Sequence, residues 1–475
     1  MAGILSAIKL TEAGYTDFTV YEKGDSVGGT WRENTYPGLA CDVPSQLYSY
    51  SFAPNPNWTQ PYSRGSEIQA YFTGVAQERG VIERTRFNDE VKSCEFADGK
   101  WHLVTANGHE DVVDVVIAAT GVLHHPSMPD IAGLESFGGK SFHSARWDHD
   151  AVLDGARVGL IGTGSTGVQI VSAIHDRVER LDVFQRTAQW VLQMPNEPFT
   201  SEELEGHQDL DVLRDNHEKL SVAFRRFSNA VIDAESEETA VIGAACLFNL
   251  EQNVADPELR ERLRPTYTAA CKRLIISPDF YEAMQHENVV LVTDHIAEIV
   301  PQGVRTDDGV VHELDVLVLA TGFHADYFVR PMKVIGRDGV TIDEAWKDRP
   351  LAYLSIAMPD FPNFFMLNGP NGPVGNFSLI EVAEMQFAYI EQLLAELSNG
   401  TAEISPNREV TLACEAERAA AAAKTVWMTG CNSWYLDDRG IPATWPWPFD
   451  RFRDAMAKPN WEAFDLVSAT QRGPR

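Results

Sequence analysis

Apolar positions near the start of the chain recur at helical spacing and end in Thr11-Glu12-Ala13-Gly14, which predicts a helix over 4–14 closed by glycine. Residues 18–22 are rich in β-forming side chains and read as a short strand ending at Glu22. Three runs, 112–119, 157–161 and 314–321, are apolar almost without interruption, as in strands buried on both faces of a parallel sheet. Shorter strand patterns stand at 181–184 and 289–292. Between them, residues 196–263 are acidic and helical in pattern, which predicts a helical insertion. The run Asp-Val-Val-Ile-Ala-Ala-Thr-Gly ending at Gly121 is nearly repeated as Asp-Val-Leu-Val-Leu-Ala-Thr-Gly ending at Gly322. Either two buried strands coincide, or two related dinucleotide domains each close with the same strand-to-loop turn; the second reading is adopted. Beyond Gly322 come a proline- and glycine-rich loop at 368–376 and an amphipathic helix at 379–397. The alanine run 419–423 reads as an exposed helix without chemistry, and some of the aromatic tail with Trp434, Trp445 and Trp447 is expected to pack back on the body.

With 475 residues the chain is too long for one ordinary core, and 44% hydrophobic with 23% charged residues is a soluble globular composition. The net charge of -30 argues against nucleic acid or an anionic membrane surface as partner, so any anionic cofactor must be held by local groups. Six scattered cysteines without a CxxC pair or zinc-finger spacing predict free thiols in a reducing compartment. No metal site is expected. No long apolar window and no basic-then-apolar leader pattern is present, and the protein is read as cytoplasmic.

Gly162-Thr163-Gly164-Ser165-Thr166-Gly167 follows the buried run 157–161 and opens a helix. There, backbone N–H groups and the helix dipole can receive a pyrophosphate. Past the next strand, where NAD sites place a carboxylate, stand Gln185-Arg186-Thr187; a cation and a hydroxyl suit the 2′-phosphate of NADPH. Near the N-terminus the matching signature is partial. Glu22 can accept ribose hydroxyls, but of the glycine turn only Gly3, at its third glycine, is present. The expectation is that the natural chain begins upstream of Met1 with an apolar strand ending in Gly-x-Gly.

Three further runs carry a resemblance. Gly28-Gly29-Thr30-Trp31, then Tyr36-Pro37-Gly38 and Asp42, resemble the pattern after the FAD ribose site of Baeyer–Villiger monooxygenases. Phe137-x-Gly139-x-x-x-His143-x-x-x-Trp147-Asp148 resembles that family's fingerprint between its nucleotide domains. Cys271-Lys272-Arg273 followed by Phe280-Tyr281 resembles the segment bearing its active-site arginine.

The resemblance implies an α/β fold of two Rossmann-like domains, for FAD and NADPH, with the helical insertion in the second. Residues 1–145 and 322–475 would form the FAD domain, and 150–321 the NADPH domain. It also implies that Gly3, Glu22, Gly29, Thr30, Trp31, Asp42 and Tyr48 serve FAD. Gly162, Thr163, Gly164, Ser165, Thr166, Gly167, Arg186 and Thr187 would hold NADPH, with Trp434 near the nicotinamide. His143 is linked in that family to domain motion, and is not counted as catalytic. Arg273, oriented by Asp42, would stabilise the anionic peroxyflavin and the oxyanion formed from the ketone as O2 is used to make an ester or lactone. A flavin-dependent N- or S-oxygenase and a remnant without firm FAD binding remain as alternatives; the missing CxxC pair disfavours a flavin disulfide reductase.

Overall fold

The computed structural model describes residues 1–375 and 377–468, so Asn376, in the expected loop at 368–376, lies outside them. One unit is built on a five-stranded parallel sheet. Its spatial order is Val289–Val292, Arg180–Phe184, Arg157–Ile161, Val316–Leu319 and Lys140–His143. The unbroken apolar runs account for this architecture, because all four residues of Val316–Leu319 and four of the five in Arg157–Ile161 are buried. Helix Ser165–Ile174 covers one face through Val168, Ile170, Val171 and Ile174. The edge strand Lys140–His143 comes from the linker and pairs in register with Val316–Leu319.

The predicted insertion forms helices Ser201–Gly206, Leu210–Ile232, Glu237–Asn253 and Pro257–Arg262. Their starts are written locally: Thr200 makes a reciprocal capping box with Glu203, Ser236 accepts from the Thr239 N–H, and Pro257 occupies the first turn.

The other unit holds the start and end of the chain together. Helix Ala2–Glu12 buries Ile4, Leu5 and Ile8 in one cluster with Ile380, Ala383, Phe387 and Ile390 of helix Leu379–Ser398. The three- and four-residue spacing of those positions puts them on one face. Each fully buried aliphatic side chain there contributes about 1.5–3 kcal/mol. Trp445 packs back as expected, buried against Phe452 at 5.2 Å.

Two strand expectations are corrected. The apolar run 112–119 is not one strand: Glu110–Val113 closes an antiparallel meander, whereas Val116–Ala118 pairs in parallel with Phe364–Met366. Asn363 holds the break, donating its side-chain amide to the Asp114 carbonyl at 3.1 Å, while its own backbone carbonyl accepts from the Val116 N–H. Residues 18–22 yield a strand only at Val20–Tyr21, paired with Thr85–Arg86.

The cysteine expectation is also corrected, since Cys271 and Cys431 form a disulfide while Cys41, Cys94, Cys246 and Cys414 are free. The partners lie 160 residues apart and meet only through the tertiary fold, which no spacing rule detects. Among the described residues no helix is long and apolar enough to cross a membrane.

The chain passes between the units twice, and the two passages are stitched together. The Ser127 N–H donates to the Gly322 carbonyl at 2.9 Å, and the Thr321 hydroxyl donates to the Ser127 carbonyl at 2.6 Å. His143 is buried beside this crossing, its ring 6.0 Å from that of Phe323, and burial pushes its pKa down.

Candidate active site

A cleft of about 2200 Å³ collects segments from both units. Its walls include Gly3 at the start of the first helix, Glu22, and the loop running from Gly29 through Asp42 to Tyr48. The opposite wall is the turn 162–166 with Arg186 and Thr187, and Arg273 and Trp434 also reach the space. Every residue expected from sequence to serve a cofactor lines this cleft except Gly167.

The three glycines of the second turn differ in what their missing side chains permit. Gly162 has φ +111°, and a Cβ there would lie 2.4 Å from the Ala320 carbonyl oxygen. Gly167 is buried, with a would-be Cβ 2.1 Å from the Gly162 oxygen, so its smallness serves close packing of helix on strand. Gly164 is exposed, and a Cβ there would have nothing within 4 Å. Its bareness serves nothing in the protein itself and leaves the helix N-terminus open to a pyrophosphate. This arrangement fits a dinucleotide.

Arg186 is exposed at the end of the strand Arg180–Phe184, and the Thr163 hydroxyl holds the adjacent Thr187 carbonyl at 3.3 Å. Lys272 was not singled out from sequence. Burial lowers its ammonium pKa, and the charge of Arg186 lowers it further. Two cations that feel each other's charge, on the same cleft as a bare helix N-terminus, have the chemistry to receive a dianionic phosphate. The neighbouring Arg273 was the only signal in the sequence that could have pointed to Lys272.

Among the cleft residues of the other unit, Gly29 has φ +57° and open space around it. Glu22 directly follows the short strand Val20–Tyr21, with one carboxylate oxygen taken up by the Gly24 N–H at 2.7 Å and by Arg32 at 2.9 Å. Thr30 begins the turn that follows Gly29, its carbonyl accepting from the Asn34 side chain at 2.8 Å. Trp31 donates its indole N–H to the Tyr48 hydroxyl at 3.2 Å, and their rings meet edge to face at 5.7 Å. Burial raises the Tyr48 pKa, so its phenol stays neutral. The next loop reaches the other unit: Tyr36 donates to Gln169 at 2.9 Å, and Gln169 donates to the Ala40 carbonyl at 3.0 Å. Gly38 fits against the Gln169 backbone, where a Cβ would come within 2.3 Å of the carbonyl oxygen. The loop that ends at Asp42 is thereby seated on the dinucleotide helix.

Arg273 and Asp42, 231 residues apart, form a two-pronged pair. Nε donates to Asp42 Oδ2 at 2.8 Å and Nη2 to Oδ1 at 2.7 Å, while Nη1 donates to the Gly375 carbonyl at 3.1 Å. Burial works against the Arg273 charge, but the Asp42 carboxylate outweighs it, with support from Tyr435, and holds the pKa above the ordinary guanidinium value. The side chain remains 30% exposed, toward the cleft. Trp434 is 47% exposed on the same cleft, its ring 4.2 Å from that of Tyr435. Among the described residues no group of three or more histidine, cysteine or carboxylate side chains converges as a metal site.

The family description for flavin-binding monooxygenase-like proteins (FMO-like) matches residues 2–201. The chain is 48% identical over 460 residues to an uncharacterized monooxygenase of Mycobacterium tuberculosis, a match covering 95% of this chain and 92% of that protein. It is 38% identical over 457 residues to a Baeyer–Villiger monooxygenase of Streptomyces coelicolor, covering 95% of this chain and 88% of that one. The chain belongs to the Baeyer–Villiger monooxygenase family. Among solved structures, it matches a cyclohexanone monooxygenase from Rhodococcus sp. Phi1 bound to NADP+ with a TM-score of 0.87 and 29% identity, over 98% of this chain and 97% of that one. It matches OTEMO in complex with FAD and NADP with a TM-score of 0.88 and 26% identity, again over 98% and 97%. For a Baeyer–Villiger monooxygenase, a cleft between two dinucleotide units with an arginine on its wall is the arrangement the chemistry asks for. The expected α/β fold of two such units therefore stands.

Proposed function

We propose that this chain is a FAD- and NADPH-dependent Baeyer–Villiger monooxygenase that uses O2 to convert a small-molecule ketone to an ester or lactone. The observation that carries the reading is the Arg273–Asp42 pair, fixed on the wall of the cleft that Gly3 and the turn 162–166 also line. Bound FAD, reduced by hydride from NADPH, supplies the activated oxygen. We assign the FAD unit to residues 1–145 with 322–475 and the NADPH unit to 150–321, the latter borrowing the edge strand Lys140–His143.

Arg273 presents a charge that persists at any working pH, since a guanidinium loses its proton only above about pH 12. Nε, Nη1 and Nη2 each make one of these bonds, which leaves the guanidinium donor capacity to spare on the cleft wall. There it stabilises negative charge developing on the ketone oxygen, a role whose loss costs roughly 3–4 kcal/mol when one such donor is deleted. Asp42 and Gly375 keep the guanidinium from turning away. Gly164, Arg186, Thr187 and Lys272 hold the nucleotide, Trp31 and Tyr48 frame the flavin ring, and Trp434 covers the nicotinamide side. We place the enzyme in the cytoplasm, where NADPH is regenerated.

The test is a panel of ketones and sulfides offered to the FAD-loaded protein with NADPH, with products identified by mass spectrometry. Ester or lactone formation from a ketone, retained NADPH-driven flavin reduction in Arg273→Ala, and loss of ester in that variant are expected. Sulfoxide alone, or full ketone oxidation by Arg273→Ala, refutes the reading.

A further inference from the structure

The loop that carries Trp434 and Tyr435 is secured at its two ends by different means. Its far end is held by hydrogen bonds. Arg418, buried and paired with Glu415 at 2.7 Å, donates to the Pro442 carbonyl and to the Thr444 carbonyl at 3.1 Å. The Thr444 hydroxyl also reaches the Gly372 and Val374 carbonyls at 3.1 and 3.0 Å. Its near end is held by the covalent bond from Cys431 to Cys271, two residues before Arg273. Around that bond, Val426, Trp427 and Tyr435 pack with Cys271 in a small apolar cluster.

Tyr435 stands between the disulfide and the arginine. It is 4% exposed, and its ring lies 5.5 Å from Trp427 and 4.2 Å from Trp434. Its hydroxyl is pressed onto Gly375, whose would-be Cβ comes within 2.3 Å of that oxygen. Gly375 is the residue whose carbonyl accepts from Arg273 Nη1. Asp42, Arg273, Gly375, Trp427 and Tyr435 line one small cavity of about 30 Å³. Tyr435 also helps to keep the arginine charged, in line with this closeness.

We infer that Tyr435 is a positioning residue for Arg273, and that the Cys271–Cys431 disulfide sets this contact, so that oxygen transfer depends on the thiol redox state. This rests on the reading of Arg273 given above. In the oxidised form the loop cannot slide past the Arg273 segment, and Tyr435 fixes Gly375 and the guanidinium that binds it. In a reducing compartment a disulfide of this kind acts as a sensor more often than as a permanent brace. Opening it takes two electrons and two protons from a thiol reductant: the S–S bond breaks, two S–H groups form, and the reductant leaves as its own disulfide. Cys431 is the more accessible of the two sulfurs: it is buried at 7% exposure but lies among exposed residues 428–430 and 432, whereas Cys271 is fully enclosed at 0%. Packing and the far-end hydrogen bonds survive reduction, so the loop loosens without detaching.

The experiment uses the FAD-loaded enzyme before and after treatment with a dithiol, with thiols counted under denaturing, non-reducing conditions. The count should rise from four to six. Ester-forming kcat should fall roughly ten- to hundredfold, the scale of a misplaced catalytic group, with the KM for NADPH unchanged. Cys431→Ala should match the reduced enzyme and ignore the dithiol. Tyr435→Phe, which keeps the ring packing, should also be slowed, ignore the dithiol, and show no further loss when combined with Asp42→Ala. Six thiols in the untreated protein, or equal kcat in oxidised and reduced enzyme, overturn the inference. A Tyr435→Phe enzyme that is fully active, or that still responds to the dithiol, overturns the route through Tyr435. If Arg273→Ala still forms ester, the underlying site reading has failed; if that variant is inactive and the dithiol has no effect, only this inference has.

Discussion

Removing Asp42 isolates how much of the arginine's effect is position and how much is charge. In Asp42→Ala the guanidinium loses two charge-assisted hydrogen bonds, at 2.8 and 2.7 Å, and keeps its bond to the Gly375 carbonyl. Each such bond is worth about 1.5–3 kcal/mol where water is excluded. Here the side chains are 30% and 24% exposed, so screening reduces the combined value to about 2–3 kcal/mol. Arg273 remains protonated in the variant because its ordinary pKa is already above about 12. The loss therefore appears as misorientation, a fall of roughly 30- to 150-fold in ester-forming kcat without a new inflection in the pH profile. Asp42→Asn, which retains one acceptor, should lie between. Steady-state ester formation at saturating ketone, beside stopped-flow flavin reduction by NADPH, reads the two stages separately. An Asp42→Ala enzyme within a few-fold of wild type, folded by its melting temperature, would refute the positioning argument.

Gly164→Ala should melt like wild type, because φ is -70° and the added methyl meets nothing, yet it should weaken NADPH binding. Gly167→Ala should melt lower, by about 1–3 kcal/mol of stability, because its methyl would meet the Gly162 oxygen; equal behaviour of the two variants in thermal and NADPH-binding assays counts against the assigned roles. Arg186→Ala should shrink the preference for NADPH over NADH about tenfold, and Lys272→Ala should shrink it further; unchanged ratios of kcat/KM remove both from the phosphate site. Glu415 is buried, which raises its pKa, but Arg418, Arg349 and Arg439 outweigh burial and hold it below the usual 4.5. A carboxyl depressed on folding contributes stability above its unfolded pKa and loses that contribution as pH falls through the lower, folded value. Acid unfolding below about pH 4.5 should therefore be steeper in wild type than in Glu415→Gln, and identical pH dependence would contradict the sign.

What the sequence disclosed follows from how far apart the participants lie. The turn from Gly162 to Gly167 was readable because strand, glycines and helix are consecutive, and the helices of 196–263 and 379–397 announced themselves by their pattern. The run 112–119 misled because hydropathy marks burial and not pairing: the break depends on Asn363, about 250 residues away. Arg273 and Asp42 entered only through a family resemblance, since nothing local joins residues 231 positions apart. The disulfide, the role of Gly375 and the approach of Lys272 to Arg186 are equally products of the tertiary fold. Gly164 and Gly167 look alike in sequence, and only space around a hypothetical Cβ separates a glycine that serves a ligand from one that serves packing.

Charge completes the account of why the site is built as it is. A chain with net charge -30 would repel NADPH if its carboxylates acted together at long range. At physiological salt that field is screened over roughly 8 Å, so the outcome rests on groups close to the nucleotide. On the cleft wall the protein concentrates what it has: the open N-terminus of helix Ser165–Ile174, Arg186, and the adjacent pair Lys272 and Arg273. The helix end contributes about half a positive charge within its first turn. Burial and the nearby charge of Arg186 both disfavour the Lys272 ammonium, so a phosphate bound beside it would relieve an electrostatic cost. Arg273 escapes that penalty because Asp42 already neutralises it. On the function proposed above, two neighbouring cations in the sequence divide the work: Lys272 would take the cofactor's phosphate, while Arg273, held still by Asp42, would face the substrate.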